Sequence, residues 1–149
     1  MSTFSHEYLS SMQEKLLQAM KNFKYRFKRY GINYSIAIGY SPENVDLTPL
    51  SQHIRESDLF IVLDHNTCAV ILDSTNDEGG IKAANNLLSH FQGNFFSIPL
   101  YTGIVTASNY DTVALMMHDL FYLLDYAIKN NMNNIIMEPS QVIHKHQAV

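Results

Sequence analysis

Apolar and polar positions follow two rhythms along this chain. From Ser5 to Arg29 the residues Leu9, Met12, Leu16, Ala19 or Met20, Phe23, Phe27 and Tyr30 return at steps of three and four, the spacing of one face of an amphipathic α-helix. Ser5 is placed as its N-cap and Gly31 as its stop. Asn33 to Tyr40 then sets Tyr34, Ile36 and Ile38 at steps of two, which predicts a strand. Two continuous apolar runs follow, Leu59 to Leu63 and Cys68 to Leu72, each of strand length. The polar tetrapeptide Asp64-His65-Asn66-Thr67 separates them and predicts a hairpin tip. Asp, His and Asn are the non-glycine residues that most readily take tight or left-handed turn conformations. Both strands of this hairpin are expected to be largely buried.

The remaining elements are placed by caps and breakers. Pro42 and Pro49 confine a helix to Thr48–Ser57, with Pro49 in its first turn. Asp73 to Gly80 is a polar loop whose Asp77-Glu78 opens a helix running to Gln92, with Ala84, Leu87, Leu88 and Phe91 inward. Phe95 to Ala107 reads as a strand bent near Pro99 and Gly103, Asp111 as the cap of a helix from Thr112 to Asn131, and Asn133 to Glu138 as a short strand. The order helix, β, α, ββ, α, β, α, β predicts an α/β fold of the α+β type. It has a central, mostly antiparallel sheet of about five strands flanked by helices. The expected organisation is an N-terminal helix over 1–30, which either packs on the domain or forms a dimer, a domain over 31–138, and a tail over 139–149.

Composition narrows the function classes. The 149 residues suit one domain with a genuine core, and 46% hydrophobic with 16% charged residues is globular. A net charge of −4 opposes general nucleic-acid binding. The single cysteine, Cys68, falls in a predicted core strand and has no internal disulfide partner, which points to a reducing, cytoplasmic setting. No apolar run approaches the ~20 residues of a membrane span, and the first residues lack a signal-peptide order.

Candidate chemistry is sparse. No nucleophile elbow, Walker loop or dinucleotide fingerprint is present. His65, Cys68 and Asp64 are metal-ligand types, but a zinc site needs three or four converging ligands, so a solvated turn beside a core thiol is the simpler reading. His144 and His146 fall in the tail. The basic run Lys21, Lys24, Arg26, Lys28 and Arg29 is accounted for by the helix dipole. Arg55 and Asp58 remain. An arginine fork takes a phosphate or a guanine edge, and an aspartate accepts from guanine N–H groups. The same spacing also makes an ordinary i,i+3 ion pair.

The run Arg55-Glu-Ser-Asp58, five apolar residues, Asp64-His65-Asn66-Thr67-Cys68 and a second apolar strand resembles the GGDEF family of diguanylate cyclases in register and without a gap. In that family R-x-x-D is followed by a G-G-D/E-E-F hairpin tip. Here both glycines, both acids and the aromatic are replaced. The resemblance covers Tyr30 to Glu138 and implies a palm-like, nucleotide-cyclase-like fold. In active members the first strand ends in a metal-binding aspartate, where this chain has Ile38-Gly39-Tyr40. Two helices that carry nucleotide contacts are reduced to the interval Ser41–Ser57. Tyr126, Lys129 and Asn134 match the family's last motif, with Asn133 where an arginine stands.

The resemblance therefore implies a catalytically inactive GGDEF-like regulatory domain without metal or other cofactor. Its R-x-x-D, the family's inhibitory site for cyclic di-GMP, makes Arg55 and Asp58 a candidate receptor site. In the family that site also enlists a second arginine, for which no counterpart stands out here. The alternative is a module that binds no nucleotide and acts on an unidentified protein partner or a second copy through its N-terminal helix.

Overall fold

A computed structural model describes residues 6–142. The chain runs α1 (His6–Ala19), α2 (Lys21–Tyr30), β1 (Tyr34–Tyr40), a 3₁₀ turn (Thr48–His53), β2 (Leu59–Asp64), β3 (Thr67–Asp73), α3 (Asp77–Asn94), β4 (Tyr101–Thr106), a second 3₁₀ turn (Ala107–Asn109), α4 (Val113–Lys129) and β5 (Ile136–Met137). One five-stranded sheet has the order β2-β3-β1-β4-β5. All pairs are antiparallel except β4 with β5. The predicted α+β architecture and its mostly antiparallel sheet are thus present.

The two-residue rhythm of β1 builds two cores. Tyr34, Ile36 and Ile38 face α1, α2 and α4, where Met12, Leu16, Met20, Leu120 and Leu124 are buried. Ala37 and the opposite faces of β3 and β4 meet α3 and the first 3₁₀ turn through Leu50, Leu87, Leu88 and Phe91. The helical stripe from Leu9 to Phe27 is therefore spent on this domain's own core, with Met20 rather than Ala19 fully buried, while Tyr30, expected on the same stripe, is exposed. Gly103 lets α4 lie close on β4, since a Cβ there would come 2.9 Å from Leu123 Cβ. Among the described residues no helix is long and apolar enough to cross a membrane.

Several expectations are corrected. The single helix predicted from Ser5 to Arg29 is divided at Met20 into α1 and α2, although Met20 N–H still donates to Leu16 O at 3.0 Å and Lys24 N–H to Met20 O at 2.8 Å. Ser5 lies outside the described residues. Gly31 does stop the segment, at φ +70°, with its N–H on Phe27 O. The helix predicted over 48–57 is only a six-residue 3₁₀ turn, ending where Ile54 becomes extended. The strand predicted from Phe95 begins at Tyr101, because Ser97 turns the chain at φ +76°. Thr112, not Asp111, caps α4 by accepting from Leu115 N–H at 3.2 Å. Residues 139–142, expected in a tail, form a helical turn, and Val142 is buried in the α1/α4 core. His144 and His146 lie outside the described residues.

Candidate functional site

The R-x-x-D pair sits where the chain enters β2. Asp58 is buried, and its carboxylate receives four hydrogen bonds. Oδ2 accepts from Arg55 N–H at 2.9 Å and Arg55 Nε at 3.1 Å. Oδ1 accepts from Arg55 Nη2 at 2.8 Å and from Asp73 N–H at 2.8 Å. A carboxylate has about four lone-pair sites, so all of them are engaged. Bonding to Asp58 pushes the pKa of Arg55 upward. Arg55 Nη2 also donates to the carbonyl of Asp73. The Asp73 carboxylate in turn meets Arg26 Nη1 at 3.2 Å, as a charge contact rather than an aligned hydrogen bond. The Arg26 guanidinium lies over the Phe23 ring at 4.9 Å.

Two arginines and two aspartates from α2, the approach to β2 and the end of β3 thus converge. Arg26 and Asp73 were missed by sequence reading. Their only signals were a basic helix end and an acid closing a strand.

Arg55 keeps its side chain more than half exposed. Its Nη1 has no hydrogen bond among the described residues. Arg55 lines a shallow depression of about 600 Å³ together with Asn33, Ser74, Thr75, Asn76 and Gly79. Asn76 and Gly79 belong to the start of α3, where Asn76 caps Gly79 N–H at 2.8 Å. Helix starts favour anions.

The hairpin tip is built differently from the expectation. Asp64 pairs with Thr67 across a two-residue turn, after a bulge between Val62 and Asp64. Neither His65 nor Asn66 has positive φ. Burial is also unequal: β3 is buried throughout, while the edge strand β2 exposes Leu59 and Val62. Asn66 holds the tip to the end of β1. Its amide donates to Ser41 O at 2.6 Å, and Ser41 N–H donates to Asn66 O at 3.1 Å. Thr67 Oγ1 is buried with no hydrogen-bond partner among the described residues.

Asp64 and His65 pair with each other, through His65 N–H to Asp64 Oδ1 at 2.9 Å and His65 Nδ1 to the same oxygen at 3.2 Å. Cys68 points away into the α3 core, where burial pushes its thiol pKa up to about 12. Among the described residues no three His, Cys, Asp or Glu side chains converge as a metal site. Lys129 pairs with Asp125 at 2.8 Å. Asn134 turns at φ +61° and bonds both backbone groups of Leu100. Lys129 and Asn134, two of the three matches to the family's last motif, thus make local contacts.

No family model and no curated protein matches the chain. Solved structures do. A GGDEF-domain fragment of TpbB (YfiN) from Pseudomonas aeruginosa matches at TM-score 0.66 and 18% identity, over 84% of this chain and 85% of that one. A DGC protein from Thermotoga maritima matches at TM-score 0.65 and 11% identity, over 74% and 92%. The GGDEF domain of DgcB from Caulobacter crescentus, in complex with c-di-GMP, matches at TM-score 0.61 and 8% identity, over 84% and 88%. The chain has the GGDEF-domain fold.

Proposed function

We propose that this chain is a catalytically inactive GGDEF-like regulatory domain that receives cyclic di-GMP on the Arg55 face. The observation that carries the loss of catalysis is the Asn66–Ser41 clamp. The hairpin tip and the end of β1 are where the family resemblance expects metal carboxylates, and here an amide and a main-chain carbonyl bond directly to each other. Phosphoryl transfer needs divalent cations and a phosphate cradle, and an amide is a poor substitute for an anionic oxygen ligand of a hard cation.

The receptor role rests on Arg55. Asp58 and the Asp73 carbonyl fix its guanidinium, while Nη1 is left for a phosphate beside the start of α3. Arg26, which shares Asp73 with it, is the second arginine at this site. Asp58 has no acceptor left for a guanine edge, so the aspartate positions Arg55 and does not touch ligand.

Calorimetric titration with cyclic di-GMP tests the reading. Binding by the native chain that is lost in Arg55→Ala and weakened in Arg26→Ala is the expected result. Turnover of GTP with Mg²⁺ would overturn the loss of catalysis, and no heat at high micromolar cyclic di-GMP would overturn the receptor role. The engagement of all of Asp58's acceptors favours a second reading, a module that binds no nucleotide and uses the exposed Tyr8, Leu17, Tyr25 and Tyr30 of its N-terminal helices against a protein partner or a second copy. Sedimentation of the chain across a concentration series separates the self-associating form of that reading from a monomer.

A further inference from the structure

A groove of about 420 Å³, of the size that holds small ligands, lies between α2 and the segment entering α4, away from the Arg55 face. Helix α2 contributes Lys24, Phe27 and Lys28 to it, and the start of α4 contributes Thr112 and Val113. Three features of this groove lack partners within the chain.

Lys24 and Lys28 stand four residues apart on one helix, a like-charge spacing that weakens a helix unless an anion lies between them. Neither side-chain ammonium has an ion pair or hydrogen bond among the described residues. The start of α4 is also partly open. Thr112 takes Leu115 N–H through its hydroxyl and Met116 N–H through its carbonyl, leaving Val113 and Ala114 N–H without partners among the described residues. The third feature is independent of both. Tyr34 is 2% exposed, with its ring packed against Phe23 and Phe27 at 5.9 and 6.1 Å between centroids. Its hydroxyl has no hydrogen bond among the described residues. Tyr34 is one of the residues that line the groove. A buried tyrosine hydroxyl ordinarily finds a partner.

We propose that this groove binds a small phosphomonoester with an aromatic or alkyl remainder. The phosphate lies between Lys24, Lys28 and the first amides of α4 and accepts from the Tyr34 hydroxyl; the apolar remainder rests on Phe27 and Met116. Burial raises the Tyr34 phenol pKa to about 12, so it is a donor throughout the neutral range. Asp111 stands exposed at the same rim and opposes a second anionic group. That restricts the ligand to one phosphate rather than a chain of them.

The test is an amide NMR titration of the whole chain with phenyl phosphate and, separately, with inorganic phosphate. Phenyl phosphate should shift the Val113 and Ala114 amides saturably with a Kd of about 1 mM or tighter. The Lys24→Gln/Lys28→Gln variant should bind it at least about tenfold more weakly and Tyr34→Phe about threefold to tenfold more weakly, as expected for lost charged and neutral hydrogen bonds. Arg55→Ala should bind unchanged, which separates this site from the cyclic di-GMP reading. Shifts absent for both probes up to about 10 mM, or undiminished in the lysine variant, would overturn the site. Equal affinity for the two probes would overturn the phosphomonoester assignment, leaving a bare-anion site. Lys24 and Lys28 are exposed, so the lysine variant keeps its fold and decides the test even if Tyr34→Phe loses the folded amide spectrum.

Discussion

Asp58 offers the sharpest numerical test of how the Arg55 cluster is built. The obvious view of an i,i+3 pair is symmetric: remove either partner and the same bond is lost. The structure is not symmetric. Asp58 has a side chain only 2% exposed and accepts four hydrogen bonds, two of them from the main-chain N–H groups of Arg55 and Asp73. Asp58→Ala deletes all four and strands two backbone donors. Hydrogen bonds to a charged group contribute about 1.5–3 kcal/mol each, and a stranded donor costs about 1–3 kcal/mol. The two guanidinium bonds count for less, because Arg55 is 55% exposed and its attraction is screened. The main-chain bonds dominate, and the expected loss is about 3–5 kcal/mol.

Arg55→Ala leaves Asp58 its two main-chain donors and removes a screened pair, for a loss of about 1 kcal/mol. Urea unfolding followed by far-UV circular dichroism reads both, with the slope checked for constancy. A loss for Asp58→Ala below about 1.5 kcal/mol, or one no larger than that of Arg55→Ala, would refute the claim that the aspartate is a structural staple. The asymmetry also has a practical consequence for binding studies: Arg55→Ala is the usable probe of the ligand face, whereas an Asp58 variant confounds ligand loss with unfolding.

Two glycines in neighbouring strands should answer alanine in opposite ways. Gly39 borders an apolar cavity of about 40 Å³, and a Cβ there meets Leu100 Cδ1 at 3.6 Å and Cys68 Sγ at 3.7 Å, so Gly39→Ala should raise stability in urea. The gain is about 0.5 kcal/mol; Gly103→Ala, which drives Cβ to 2.9 Å from Leu123 Cβ, should cost about 1–3 kcal/mol. Thr67→Val replaces a buried hydroxyl that has no partner by a methyl of the same shape and should stabilise by about 1 kcal/mol in the same assay; a loss would mean that the hydroxyl is satisfied in solution. Cys68 predicts alkaline behaviour. Its thiol pKa is raised from 9.0 to about 12 by burial, so the folded state holds the proton longer than the unfolded chain does. Its contribution is fully present below pH 9 and is lost as pH rises toward 12, at a slope of about 1.4 kcal/mol per pH unit for one group. Cys68→Ala should flatten that fall between pH 9 and 11, and an identical profile would refute it.

The elements that were legible in the sequence are those whose cause is local. The rhythm of three and four in Leu9 to Phe27, the alternation of Tyr34, Ile36 and Ile38, and the two apolar runs around Asp64 to Thr67 each mark burial on a face, and each element exists. Their ends were less legible. Helix α1 gives way to α2 at Met20 although the periodicity continues through it, and β4 starts late because Ser97 takes a left-handed turn that no neighbouring residue advertises. In the site, Arg55 and Asp58 stand three residues apart, so their pairing could be read directly. What gives the pair its character could not. Asp73 reaches Asp58 across fifteen residues. Arg26 reaches Asp73 from a helix that sequence alone assigned to dipole compensation, and Asn66 reaches Ser41 across twenty-five residues. These contacts are set by the antiparallel register, which brings the end of β3 beside the entry to β2 and the hairpin tip beside the end of β1. Register is fixed by burial over whole strands, and a polar residue at a strand end carries little of that signal. The same reasoning explains why an altered signature can leave the fold intact. The hairpin needs a tight tip tied to β1, and Asn66 supplies that tie with one amide bond where the resemblance leads one to expect carboxylates around a cation.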